Sequence, residues 1–526
     1  MMGITADTSV ADIVRQCPSV RRIFDQHGLH GCGGEHGPAE SLAFFANVHQ
    51  VDLDQLLREL NAELKDSSGD YHYHESLEDF IYRRFFKAGI VIAITLGVLW
   101  GAVNLLQIAL RGSFLQLGLV PAIHAHAHAM VYGWVGLFVM GFAYQSFPRF
   151  KNTKLWRPGL ANLSFYLMLS GIGARVLAEM LQPAPLGLTL GGIAAAAELL
   201  AIALFVTILY CTARQSIEPP SKYEKFIFGS VFWLAVGSVL SQVFFFAKAT
   251  AGSDRALVMR IAILDGPLRD IQLLGFAVLI IAGVSQRFVP MVYGLARPRH
   301  DRQTLIFILI NLGLVLNVFS YVGLLTTRNP LFAIGLEASY LLMPVWAILL
   351  VKQLGIFSRP SQPDRTFKFV RTAYLWLLIS CFMMPFFLLY GRLTGQLLAH
   401  AYMGAHRHAF TVGFISFMIM GVAGRVVPIL AGVDGNRISS LWGPFILLNI
   451  GCAGRVLLQV ATDFSSRAYS LVGITGFIEL IALTWWGVEM WRTMNLARTH
   501  RAGVLGAPMQ PGNPGSSAPI TIAPAR

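Results

Sequence analysis

Charged residues are scarce in this sequence. Only 13% of its 526 residues are Asp, Glu, Lys or Arg, whereas soluble domains contain roughly 25%. Apolar residues make up 55% of the chain, and its mean hydropathy is +0.58. A soluble chain of this length would form about three or four domains, and so few charges cannot cover their surfaces. The composition therefore excludes a water-soluble protein and predicts one embedded in membrane lipid.

Cysteine is also scarce, and no two cysteines form a Cys-x-x-Cys pair. This spacing excludes a disulfide framework, a zinc ribbon and a cysteine-ligated iron–sulfur cluster. A leading apolar segment is missing as well, because acidic and polar residues follow Met1, so we expect no cleavable signal peptide. The five cysteines are Cys17, Cys32, Cys211, Cys381 and Cys452.

Acidic residues are rare in most of the chain but not at its start. Residues 1–78 hold thirteen Asp and Glu against five Lys and Arg, whereas residues 79–526 hold fifteen against thirty-six. We therefore predict a small acidic helical domain followed by a long basic membrane domain. The predicted divisions are a domain over 1–65, a linker over 66–79, a membrane domain over 80–495 and a disordered tail over 496–526. Within the first domain we expect one helix to continue through Phe24, a second to begin at Ser41 and a third to be capped by Asp52.

Twelve apolar stretches in the membrane domain are long enough to cross a bilayer, which requires about 20 residues each. The basic residues fall in alternate loops, and basic loops remain on the cytoplasmic side. This pattern predicts a bacterial inner-membrane protein with both termini in the cytoplasm. The positive charge therefore records orientation, and we expect no nucleic-acid partner.

Three segments of the membrane domain repeat at a spacing near 140 residues. Each begins with a polar residue, His128, Asp270 or His408, that is followed by Gly, Gly and Pro at the same three offsets. One glutamate also falls late in each repeat: Glu198, Glu337 or Glu479. The repeat predicts an all-α fold of twelve transmembrane helices in three pseudo-symmetric four-helix units. The aligned segments are its second, sixth and tenth helices.

Histidines cluster at the predicted outer ends of the second and tenth helices. His124, His126 and His128 open one, and His406 and His408 open the other. Imidazoles at equal depth on two related helices suit axial ligation of a haem iron. Zinc binding is an alternative because His124 and His128 lie one turn apart. Hydrogen bonding of these histidines to water and lipid headgroups is another.

Other polar residues in the apolar stretches extend this site. At the predicted depth of the histidines, Arg175 and Arg455 can hold haem propionates with their planar guanidinium groups or extend to headgroups. The three glutamates and Asp270 can relay protons within the membrane. Alternatively, they hydrogen-bond neighbouring helices.

Two segments resemble the catalytic subunit of haem–copper oxidases. HRHAFTVGFISFMIMGVAGRVVPILAG (406–432) resembles its tenth helix, and HAHAHAMVYGWVGLFVMGF (124–142) resembles its second. The resemblance implies that His128 and His408 are the paired axial ligands of a low-spin haem b and that His406 binds a second haem, if there is one. Those oxidases also bind copper through histidines of their sixth and seventh helices. Here these helices contain Arg269 and Asp270 but no histidine within their apolar stretches, so we expect no histidine-bound copper site.

The sequence is still more similar to the NnrS family, membrane proteins associated with nitric oxide stress, denitrification and haem. His126, His128 and Met130 match its His-x-His-x-Met pattern, and its His-Ala-x-Thr-Val-Gly element begins at His408. The resemblance implies a haem-binding protein of the nitric oxide response, with nitric oxide or another diatomic molecule as ligand and an electron donor as partner. A divergent oxidase or nitric oxide reductase is the alternative, because Asp270 can bind iron as a carboxylate. A transporter is disfavoured because transporter repeats usually come in two halves.

The leading segment has a likeness of its own. VADIVRQCPSVRRIFDQHGLHGCGG (10–34) and VDLDQLLRELN (51–61) resemble small helical domains found beside hybrid-cluster proteins and at the start of di-iron cluster-repair proteins. Those domains often carry paired or spaced cysteines in the loop that here contains only Cys32, so a disulfide switch is not expected. Cys32 with His30 or His36 is a candidate for binding metal or reacting with nitric oxide. A glycine-rich turn without such a role is the alternative.

Overall fold

The computed structural model describes residues 4–27, 37–49, 51–66, 76–114, 116–362, 364–395, 399–433 and 438–505. Regular structure within these ranges is helical, apart from one isolated antiparallel bridge between Ser9 and Ser41. The predicted all-α class is confirmed.

The described part of the N-terminal domain contains four short α-helices: α1 (Val10–Gln16), α2 (Arg21–Gln26), α3 (Leu42–His49) and α4 (Leu53–Asp66). Asp52 caps α4 as predicted, because its Oδ1 accepts a 2.7 Å hydrogen bond from the Gln55 amide. The single first helix predicted through Phe24 is wrong. Pro18 interrupts it, since proline has no amide hydrogen and its ring obstructs the preceding turn.

Within the described residues, twelve helices are long and apolar enough to cross a membrane, which confirms the predicted number. The last helix continues to Leu505, ten residues into the tail that was predicted over 496–526. The rest of that tail, from residue 506, lies outside the described residues. The twelve are α5 (Leu77–Arg111), α6 (Leu117–Phe150), α7 (Pro158–Leu181), α8 (Pro185–Gln215), α9 (Glu224–Ala249), α10 (Asp254–Tyr293), α11 (His300–Thr327), α12 (Leu331–Leu354), α13 (Phe367–Thr394), α14 (His400–Ala431), α15 (Trp442–Ala461) and α16 (Arg467–Leu505).

Three helices, α6, α10 and α14, form the centre of the bundle. Two thirds or more of the apolar stretch of each is buried, against half or less for the other nine. Each contains a π-helical segment, over Ala129–Gly136, Ile271–Val278 or Ala409–Ser416. These segments begin directly after His128, Asp270 and His408, the first residues of the three repeats.

The central helices also pack alike against a neighbouring helix. A Cβ added to Gly141 on α6 would lie 2.6 Å from the Cβ of Phe85, and one on Gly283 of α10 would lie 2.8 Å from that of Phe226. On α14 the corresponding distance from Gly421 to Phe369 is 3.0 Å. Small residues allow close approach of helices where apolar burial gives no driving force. These shared contacts agree with the repeat in the sequence, while the arrangement of three four-helix units stays a prediction.

Candidate functional site

The histidines that open α6 point to two sides of that helix. Residues two positions apart in an α-helix project about 200° apart, whereas residues four apart share a face. His124 and His128 accordingly face α8 and α9, where they contact Lys248 and Glu198. His126 faces α5, where its ring meets Gly97. The cluster therefore supplies two separate sites.

His126 and His406 are held in the same way on different helices. The Nδ1 of His126 lies 2.9 Å from the carbonyl oxygen of Gly97, and that of His406 lies 3.0 Å from the carbonyl of Ser380. Because a carbonyl oxygen only accepts, each Nδ1 carries the hydrogen and each Nε2 presents a lone pair. A backbone carbonyl bonded to the second ring nitrogen is the usual support of a metal-ligating histidine.

Glycine makes room for the His126 ring. A Cβ on Gly101 of α5 would lie 2.6 Å from Cε1 of His126, so a larger residue there would collide with the imidazole. His408 lies within electrostatic range of His126 and of Arg455. The structure therefore brings His126, His408 and Arg455 together.

Arg455 has unsatisfied donors in this group. Its Nε and Nη1 are buried without a hydrogen-bond partner, as is Oε1 of Glu479. The guanidinium carbon lies 5.9 Å from the centre of the Phe114 ring. An arginine buried in a membrane is expensive and ordinarily pairs with an anion or an acceptor. The site thus offers two free donors to an anionic group.

His128 already has a partner. Its Nε2 lies 2.7 Å from Oε1 of Glu198, with 6% and 0% of the two side chains exposed. The other oxygen of Glu198 accepts a 3.0 Å bond from the amide of Gln242, whose own oxygen accepts from Arg175. The predicted residues His128, Glu198 and Arg175 are therefore connected through Gln242, and Nε and Nη1 of Arg175 are buried without a hydrogen-bond partner.

His124 belongs to a charged network that the sequence analysis missed. Its Nδ1 lies 2.7 Å from Nζ of Lys248, which also donates at 2.7 Å to Glu179. On the other side of the ring, Asp265 pairs with Arg269 at 3.1 Å and with Arg407 at 3.0 Å. A lysine inside an apolar stretch was the available signal, because an intramembrane charge needs a partner.

The remaining predicted residues of the membrane domain are Asp270 and Glu337. Asp270, on α10, is within electrostatic range of Arg407, and Glu337 of α12 has an oxygen without a hydrogen-bond partner. In the part of the chain that the structure describes, no three His, Cys, Asp or Glu side chains are grouped to hold a metal ion. Cys32, His30 and His36 fall outside the described residues.

The N-terminal domain packs against the ends of α6, α10 and α14 that lie away from the histidines. Arg149 donates to Glu40 at 3.3 Å and approaches His49 at 3.5 Å. Burial raises the pKa of Glu40 despite the nearby Arg149 and Arg425. Burial also lowers the pKa of His49 well below its usual range, and Arg149, Arg287 and His27 lower it further. Glu40 and His49 thus connect this domain to the central helices.

Twelve apolar helices with paired histidines, arginines and carboxylates inside them define a polytopic membrane protein with a buried polar site. Residues 80–498 match the family model described as NnrS protein. The chain belongs to the NnrS family. No curated protein matches it.

Proposed function

We propose that this protein binds haem b between His126 and His408. The observation that carries the proposal is that the two rings lie within electrostatic range of each other, while the Gly97 carbonyl holds the ring of His126. Two neutral imidazoles, one from each side, are the axial ligands of a low-spin haem. A bound haem would supply iron that accepts electrons, and a diatomic ligand would bind that iron in place of one of the two histidines.

The unpartnered donors of Arg455 support the same site. A haem carries two propionates, and a guanidinium binds a carboxylate through two parallel hydrogen bonds. His126 replaces His128 in the pair implied by the oxidase resemblance, because Nε2 of His128 is bonded to Glu198. His406 is the candidate ligand of a second haem, since its Nε2 is also left free.

The proposed physiological role is binding of nitric oxide within the bacterial inner membrane during the nitric oxide response or denitrification, with both termini in the cytoplasm. It rests on membership of the NnrS family and on the basic loops of the sequence. Turnover by a divergent oxidase or nitric oxide reductase is the alternative, and it requires an electron donor. Consumption of nitric oxide by the reduced protein separates the two: a binder takes up one equivalent per haem, and an enzyme continues.

A reduced-minus-oxidised absorption spectrum of the purified protein tests the haem site. We expect a low-spin b-type signal that is lost in His126→Ala and in His408→Ala. His300→Ala is the matched control, because that histidine is exposed at the opposite end of the bundle, and it should leave the spectrum unchanged.

The His128→Ala variant distinguishes the two pairings. If it loses the signal while His126→Ala retains it, the pair is His128 with His408 and our assignment is wrong. If His126→Ala and His408→Ala both retain the full signal, no haem binds at this site and the proposal fails. Zinc without haem in the purified protein would overturn it as well.

A further inference from the structure

A cavity lies on the axis where α6, α10 and α14 meet. It is lined at equivalent positions of the three repeats, 11 and 14 residues after His128, Asp270 and His408. We call it the axial cavity. These lining residues are Val139, Phe142, Ile281, Val284, Ile419 and Val422.

The chemistry of the lining determines what the axial cavity can hold. Among the described residues that line it, Ser285 alone has a polar side chain. A buried water needs two to four polar partners, and apolar cavities without them remain dry and take up apolar guests. An ion, a quinone headgroup or a haem propionate would likewise lack partners there. The lining therefore favours a small uncharged molecule.

The size of the axial cavity is compatible with such a guest. The space open to the centres of water-sized molecules is about 90 Å³, whereas a single water requires only about 10–15 Å³ on this measure. Several molecules of diatomic size fit. A lipid headgroup would find neither charges nor hydrogen bonds.

Folded protein covers the end of the axial cavity beside the N-terminal domain. The guanidinium of Arg287 lies 4.8 Å above the ring of Phe150, which lines the cavity. Beyond this contact, the amide of Ala39 donates to the carbonyl oxygen of Ile429 at 3.3 Å. Arg149 is also bonded to Glu40. These contacts place the N-terminal domain over that end of the cavity.

A second, smaller cavity follows on the same helices toward the histidines. Its lining includes Met130, Gln272 and Thr411. The sulfur of Met130 lies against Gly97, where an added Cβ would be 2.4 Å from it, and the Gly97 carbonyl holds His126. The two cavities therefore lie in succession between the N-terminal domain and the histidine level.

We propose that the axial cavity is a binding site for small, uncharged, apolar molecules of diatomic size. Val139 lies 11 residues beyond His128 in α6, about 16 Å along a helix at 1.5 Å per residue. Molecules bound there are concentrated on the axis of the bundle, between the histidines and the N-terminal domain. The inference does not depend on haem binding, because it rests on the lining and size of the cavity alone.

Xenon is the probe for this site, measured by saturation-transfer ¹²⁹Xe NMR on the purified full-length protein in lipid nanodiscs. Val422→Phe and Val284→Phe fill the cavity from two different helices, and we expect each to weaken the protein-bound signal about tenfold or more, equivalent to about 1.4 kcal/mol. Val243→Phe is the matched control on the lipid-facing side of α9, where Val243 is 51% exposed. It should retain the signal.

Two results would overturn the proposal. One is an undiminished xenon signal in folded Val422→Phe or Val284→Phe, judged by unchanged elution volume and helical circular dichroism. The other is an equal loss in Val243→Phe, which would assign the signal to the lipid. Should the cavity variants not fold, xenon-pressurised crystals of the unmodified protein decide: density among Val139, Val284 and Val422 supports the site, and its absence rejects it.

Discussion

Two histidines separated by one residue in a helix cannot serve the same side of it. In α6 this separates His126, which faces Gly97, from His128, which faces Glu198. The sequence predicted both residues and the depth at which they lie. It did not predict which of the two has an Nε2 without a hydrogen-bond partner, because that depends on the side chains that α8 and α9 place beside them. Glu198 was predicted as a buried glutamate, but its bond to His128 requires the packing of α8 against α6.

The His128–Glu198 pair provides a test at this scale. In Glu198→Ala, His128 and Gln242 lose their shared acceptor inside the membrane domain. Leaving a buried donor without its acceptor destabilises by about 1–3 kcal/mol, so we expect a clear fall in the midpoint of thermal unfolding in detergent. Glu198→Gln retains an acceptor oxygen for His128, so its unfolding midpoint should fall much less. Equal losses in the two variants would show that the carboxylate does not hold this pair together.

The helices were predicted more completely than their internal geometry. Apolar length is sufficient to identify twelve spans, since every backbone group in lipid must be satisfied within a helix. The π-helical segments after His128, Asp270 and His408 were not predicted, because a local change from i−4 to i−5 hydrogen bonding leaves no pattern in hydropathy. At the N-terminus, Pro18 is sufficient to divide the predicted first helix, because proline lacks an amide hydrogen.

Glycine contacts between neighbouring helices give the prediction at this scale. A Cβ on Gly171 of α7 would lie 2.6 Å from Cγ of Glu198 on α8. Gly171→Ala therefore forces the two helices apart, and overpacking of this kind costs about 1–3 kcal/mol. Gly173→Ala, on the same helix, meets nothing within 4 Å and should be neutral or slightly stabilising, since alanine favours helix. Thermal unfolding of both variants in detergent measures the difference. The prediction fails if Gly173→Ala lowers the unfolding midpoint as much as Gly171→Ala does.

For the whole molecule, the contrast between an acidic start and a basic remainder has a structural counterpart. The charge pattern divided the chain near residue 78 but did not indicate that the two parts touch. In the structure, Glu40 meets Arg149 of α6 with 4% of its side chain exposed, and Arg425 of α14 lies 5.6 Å above the ring of Phe44. Long-range contacts of this kind depend on where three separate helices end. Sequence periodicity carries no information about them.

The contacts of His49 predict that docking of the N-terminal domain depends on pH. Burial and the adjacent Arg149, Arg287 and His27 lower the pKa of His49 in the docked domain, whereas a free histidine titrates near a pH of about 6.5. The docked state therefore binds fewer protons than the undocked state. Docking weakens as the pH falls below about 6.5, where the undocked histidine takes up its proton. For one proton the docking equilibrium changes by up to about tenfold per pH unit, or about 1.4 kcal/mol. Glu40 acts in the opposite sense, because its raised pKa lets the docked state take up a proton first.

Hydrogen exchange of the α3 amides between pH 7.5 and 5.5, corrected for the intrinsic rate, measures the docked fraction. We expect α3 to lose protection in the unmodified protein as the pH falls, since protonated His49 faces two arginines and no longer accepts from Arg149. His49→Gln keeps an acceptor for Arg149 and cannot become charged, so its protection should be nearly constant or should rise slightly through Glu40. If the two proteins show the same loss, another group governs docking, and the role assigned to His49 is wrong.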